Sequence, residues 1–146
     1  MKLAYLNVQI KNQRICKLDT GDLVKIKADI PFIYHYGIIF KEGETLWFYH
    51  FHPDFRNRFG GNVLREDFIN YIKNKDIVSI EKSNIKKEDI YDVLEQYKSK
   101  KYDVFNNNCE HFVNFVKDQK PISKQIKYGG LGLALGIATY LLTRKK

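Results

Sequence analysis

Two cysteines, three prolines, one tryptophan and one methionine among 146 residues exclude several kinds of protein at once. Cys16 and Cys109 are too few for a disulfide framework. No N-terminal run joins a charged start to a long apolar centre and a small-residue cleavage site, so the expected setting is a reducing, cytosolic compartment. Neither a Cys-x-x-Cys pair nor a His-x3-His spacing occurs. His50 and His52 share one face of a strand but have no carboxylate or thiol at matching spacing, so neither a metal nor a cofactor is expected. Acid is short as well: 17 Asp and Glu stand against 25 Lys and Arg, a formal charge of +8. That excess attracts phosphate, in nucleic acid or on an anionic lipid surface. The basic residues are scattered among acids without an aromatic-basic repeat, which argues against nucleic acid.

Hydrophobic residues make up 44% of the chain and aromatics 14%, enough apolar surface to order one domain of this length. "GDLVKI" (21–26) reads as a strand entered from a turn. "YHYGIIF" (34–40) and "TLWFYHF" (45–51) read as a hairpin closed by "KEGE" and ended by Pro53. "REDFINYIK" (65–73) places Phe68, Ile69 and Ile72 on one helical face, and "DIVSIE" (76–81) is a short strand. A second helix begins at a Ser83 or Asn84 cap and repeats Ile90, Val93, Leu94 and Tyr97 in register. "CEHFVNFVKD" is a third, with Phe112, Phe115 and Val116 on one face and Asn108 as its cap. Tyr102 and Phe105 are expected to pack before it, and Cys16 is read as a plain small residue.

The tail differs from the rest. Gly129 to Thr143 carries no charge and is closed by Arg144, Lys145 and Lys146. Fifteen helical residues reach about 22 Å, short of a hydrocarbon core of about 30 Å unless Lys127 and Arg144 snorkel. Gly132 and Gly136 allow close helix contact in lipid. The expected division is therefore a folded domain over 1–127 and an apolar tail over 128–146 that anchors the protein to a membrane.

An Asn108 cap puts Cys109 on the first helical turn, where unpaired N–H groups and the positive end of the dipole are expected to lower the thiol pKa. Acyl transfer by a thiol also requires a general base, usually histidine. His111 is two residues on, about 200° around the helix, so it points away and takes a structural role. His35 and His50 lie on partner strands of the hairpin. His35 is then the contact to the thiol, His50 the group that holds its tautomer, and His52 the alternate for that third role.

The segments "GDLVKI", "HYGIIF", "YHFHP" and "YDVFNNNCEHFVNFV" follow one another as in the lecithin:retinol acyltransferase family. The chain resembles that family over about 21–126, in particular its HRAS-like suppressor phospholipases and acyltransferases. The resemblance implies an α+β fold of permuted papain-like, NlpC-type arrangement, with an antiparallel sheet packed on the cysteine helix. It implies Cys109 as the nucleophile, His35 as general base and acid, and His50 as the second histidine. The substrate implied is a glycerophospholipid at a membrane, with no cofactor and no metal. Two departures stand out: "KEGETLW" is longer than in compact members, and His52 replaces a small residue. Rival readings are a cysteine amidase or peptidase and a non-catalytic, membrane-tethered interaction module.

Overall fold

The computed structural model describes residues 15, 17–29, 33–54, 60–103, 105–127 and 129. Cys16 and nearly all of the apolar tail, with its expected anchor, lie outside them. No helix among the described residues is long and apolar enough to cross a membrane.

Five strands form one antiparallel sheet: β1 (Leu23–Lys27), β2 (Tyr34–Glu42), β3 (Thr45–Asp54), β4 (Gly60–Asp67) and β5 (Ile77–Glu81). Their order across the sheet is β4-β3-β2-β1-β5. Among the described residues they are accompanied by α1 (Phe68–Tyr71), α2 (Lys87–Tyr97) and α3 (Cys109–Asp118), and 124–127 are helical as well. The protein is thus α+β. The hairpin of β2 and β3 turns at Gly43, whose φ of +58° supplies the left-handed backbone that a two-residue loop needs at its first central position.

Strand alternation gives the sheet two apolar faces. On one, Ile38, Phe40, Tyr49 and Phe51 pack against Ile90, Val93 and Tyr97 of α2 and Phe112, Val113 and Val116 of α3. On the other, Val24, Ile26, Ile39 and Phe48 enclose Phe68 and Ile72 around α1. Each fully buried side chain of this size contributes on the order of 1.5–3 kcal/mol. The helix that carries the cysteine is therefore held to the sheet by its apolar stripe, and no covalent tie is needed.

Several sequence expectations are corrected here. Pro53 does not end β3 but lies inside it, opposite Gly61 of β4. Alternation points its backbone nitrogen away from β4, toward the side where β2 has already stopped pairing, so the missing N–H is not needed. Arg65–Asp67 belong to β4 rather than to a helix, and α1 is only one turn, with Asp67 capping it by accepting from the Asn70 N–H at 2.9 Å. Phe68 is buried but Ile69 is exposed. The α2 cap is Lys86. Ser83 instead donates to the Gly21 carbonyl at 2.6 Å, tying the entry of β1 to the segment before α2. Phe105 is exposed, whereas Tyr102 packs beside Phe51.

Candidate functional site

The cysteine helix begins as its residue types dictate. Asn108 is extended and its side-chain oxygen accepts from the N–H groups of Glu110 (2.9 Å) and His111 (3.0 Å). The ring of His111 returns the favour: its Nδ1 accepts from the Asn108 N–H at 3.2 Å, which is the structural role expected of it. Cys109 is the first helical residue and is buried, 4% exposed. Gln119, at φ +55°, closes the helix in the left-handed conformation, with Pro121 beyond it.

Glu110 turns inward on the next position. Its carboxylate accepts from the Ser123 hydroxyl at 2.5 Å and the Gln125 N–H at 2.9 Å, fastening the segment that follows α3. Gln125 then grips β2. Its side-chain oxygen accepts from the Tyr34 N–H at 3.1 Å and its amide nitrogen donates to the Tyr34 carbonyl at 3.2 Å. The Cys109 thiol donates to that same carbonyl at 3.9 Å, and the Tyr36 N–H lies near enough to pull the thiol pKa down. The thiol thus lies beside the backbone on both sides of His35.

That placement is possible because the sheet is split. Pairing of β2 with β3 stops at Gly37 and His50. Yet β2 runs back to Tyr34 against β1, and β3 runs on to Asp54 against β4. The backbone groups of Tyr34 that would meet β3 meet the Cys109 sulfur and Gln125 instead. Gly37 marks the fork: a Cβ there would lie 2.3 Å from Phe48 ring atoms and 2.7 Å from the Tyr49 carbonyl.

The histidines occupy the face opposite α3. Nε2 of His35 lies 2.7 Å from Nδ1 of His50, and Nε2 of His50 lies 2.5 Å from a carboxylate oxygen of Glu66. His50 is fully buried, stacked on Phe48 at 5.0 Å between ring centres and 4.8 Å from the Tyr71 ring. The ring hydrogen-bonded to His35 is that of His50; His52 is exposed, with its ring centre 6.2 Å from that of His35. The Tyr71 phenol on this face is raised by burial first and by the Glu66 charge next. At the split the Cys109 sulfur meets the Tyr34 carbonyl, one residue along the chain from His35.

Electrostatics correct one sequence expectation. Burial pushes the Cys109 thiol up from 9.0 to about 11, outweighing the N–H groups of Tyr36 and Glu110 that pull it down. The helix start does not leave a thiolate. Burial, with His50 adding to it, also holds His35 well below 6.5, and burial lowers His50 to about 3. The thiol and both imidazoles are therefore neutral at rest. Tyr102 borders the site: burial raises its phenol pKa, and the nearby Cys109 charge adds to that rise.

The structure thus places Cys109 on α3, His35 on β2 and His50 on β3, and joins the two histidines directly. Sequence pattern does not single out Glu66 or Gln125, and it marks Tyr102 only as a packing residue. Glu66 sits at an edge strand whose glycines and charges masked it; Gln125 lies within the "PISKQI" segment, whose position after the cysteine helix was its only signal. Among the described residues no cluster of His, Cys, Asp and Glu is arranged to hold a metal ion. Comparison with family models gives no match, and comparison with curated proteins gives none.

Proposed function

We propose that this protein is a cysteine-dependent lipid acyl hydrolase or acyltransferase that removes an acyl chain from a glycerophospholipid as a thioester on Cys109. The finer fold reading, a permuted papain-like arrangement of the NlpC type, belongs to the same proposal. One observation carries it: a buried thiol at a helix start lies against the strand segment that bears His35, and His35 is itself hydrogen-bonded to a second buried histidine.

Because thiol and imidazole are both neutral at rest, the proton moves as the bond forms. Sulfur attacks the ester carbonyl while its proton passes to His35. Asn108 already occupies the N–H groups of Glu110 and His111. The N–H of Cys109 itself therefore steadies the oxyanion. Collapse breaks the C–O bond, and His35 gives its proton to the departing lysolipid oxygen. Water, or the hydroxyl or amine of a second lipid, then attacks the thioester, hands a proton to His35 and releases the sulfur, which takes that proton back. The charge of +8 and the apolar C-terminal residues favour a membrane-associated enzyme with its catalytic domain on the cytosolic side.

The test is intact-protein mass spectrometry after incubation with a defined phospholipid in vesicles. An acyl-sized mass gain is expected, lost in Cys109→Ser and strongly reduced in His35→Ala. Adducts formed only with peptide or amide substrates would turn the reading to a cysteine amidase. Absence of any adduct or turnover with either class would leave a tethered binding module.

A further inference from the structure

We propose that Glu66 is a positioning residue that selects the tautomer of both histidines and so leaves His35 with Nδ1 as its bare, basic nitrogen. This rests on the acyl-transfer reading above and extends it by one residue.

The inference follows from counting protons along the chain of contacts. A neutral imidazole carries one N–H and one bare nitrogen, and an ionised carboxylate only accepts. The Glu66 oxygen 2.5 Å from Nε2 of His50 therefore requires the proton of His50 to be on Nε2. Its Nδ1 is then bare and must accept from Nε2 of His35, 2.7 Å away. That places the single proton of His35 on Nε2 and leaves Nδ1 as the bare base. The histidine pair alone does not decide this. The reversed chain satisfies the His35–His50 bond equally well, with Nδ1–H on His50 donating to His35, but it blocks Nδ1 of His35 with a proton. In the reversed chain a bare Nε2 would face a carboxylate oxygen at 2.5 Å, two acceptors in contact, so Glu66 decides between the two states.

The sheet explains how Glu66 reaches its target. Phe48 is opposite Glu66 and His50 opposite Leu64, so Glu66 is the diagonal neighbour of His50 on the same face. His50 is completely buried whereas the Glu66 side chain is 44% exposed, which lets the charge keep its hydration while one oxygen enters the core.

The experiment reads ring nitrogens directly, by long-range proton–nitrogen correlation spectra of histidine-labelled full-length protein at neutral pH, alongside steady-state kinetics. In the unaltered protein both rings should show protonated Nε2 and bare Nδ1. In Glu66→Ala and Glu66→Gln the His35 signals should move toward a tautomer mixture, and kcat should fall roughly 100-fold with KM nearly unchanged, the size of an outer orienting partner's effect. Formate, small enough to enter beside an exposed position, should restore part of the rate of Glu66→Ala. Unchanged ring tautomers in either folded variant would overturn the assignment. So would a rate that Glu66→Gln leaves intact. Tautomers that shift as expected in a protein that forms no acyl-cysteine would uphold the assignment of Glu66 and sink the acyl-transfer reading instead.

Discussion

A thiol held near 11 and a thiol paired with an imidazolium behave oppositely toward an alkylating agent, and the difference can be worked out in advance. Moving the Cys109 pKa from 9.0 to about 11 is two units, or about 2.7 kcal/mol at 1.36 kcal/mol per unit. A helix start typically returns about 0.3–1 kcal/mol, so burial wins by a clear margin. At pH 7 the thiolate fraction is then about 10⁻⁴, against about 3% for an ordinary cysteine of pKa near 8.5, a deficit of roughly 300-fold. Burial also slows the reagent's entry, but entry scales the rate equally at every pH. The shape of the pH profile isolates ionisation. The assay is iodoacetamide labelling of a Cys16→Ser background, followed by mass spectrometry, so that each adduct reports on position 109. The expected rate rises about tenfold per pH unit from pH 7 to pH 10 without levelling. A plateau beginning between pH 5 and 7 would mean a standing thiolate–imidazolium pair, and the argument from burial would be refuted.

Three further outcomes are expected. Gly37→Ala should cost about 2–3 kcal/mol, because the new methyl meets the Phe48 ring at 2.3 Å and the Tyr49 carbonyl at 2.7 Å. Thermal unfolding should show a Tm lower by about 5–10 °C. Asn108→Ala removes the acceptor for two N–H groups at the start of α3 and should cost about 1–2 kcal/mol in urea unfolding, with activity falling further than stability as the Cys109 turn frays. Acid should unfold the protein through its histidines. His50 is lowered to about 3, so the unfolded chain takes up a proton near pH 6.5 that the folded one refuses; stability is complete above pH 6.5 and is lost from there down to about pH 3. By pH 4.5 the loss from His50 alone is about 2.7 kcal/mol, and His50→Leu should flatten that slope in pH-dependent unfolding whatever it does to overall stability.

The parts of the fold that the sequence made legible are those where period and punctuation agree. In β2 and β3, alternating β-branched and aromatic residues flank a glycine turn; in α3, an Asn cap precedes an apolar stripe. Both appear within a few residues of where the pattern places them. β4 was hidden because "GGNVLRED" opens with two glycines and closes with charges, a composition that suits a loop. It is a strand because β3 offers it a ladder and because Gly61 must stay small, a Cβ there lying 2.5 Å from that of Tyr102. Missing β4 also hid Glu66, since a carboxylate gains meaning only once the register sets it diagonally from His50. The thiol pKa was misjudged for a related reason. Sequence shows the helix end that lowers it but not the packing that seals it, and the second effect is larger. Pattern likewise joins His35 to His50 across the hairpin, but it does not show that strand pairing ends at Gly37 and His50, two residues short of His35.

The fork between β2 and β3 makes sulfur a seam in the sheet. In the resting protein the S–H proton is one of the stitches on the Tyr34 carbonyl, and the Gln125 amide is another. An acylated sulfur has no proton to give, so every thioester formed at Cys109 would undo the first stitch and leave the second under load. The loop after α3, anchored through Glu110, would then be the part of the molecule that feels whether the sulfur is free or occupied.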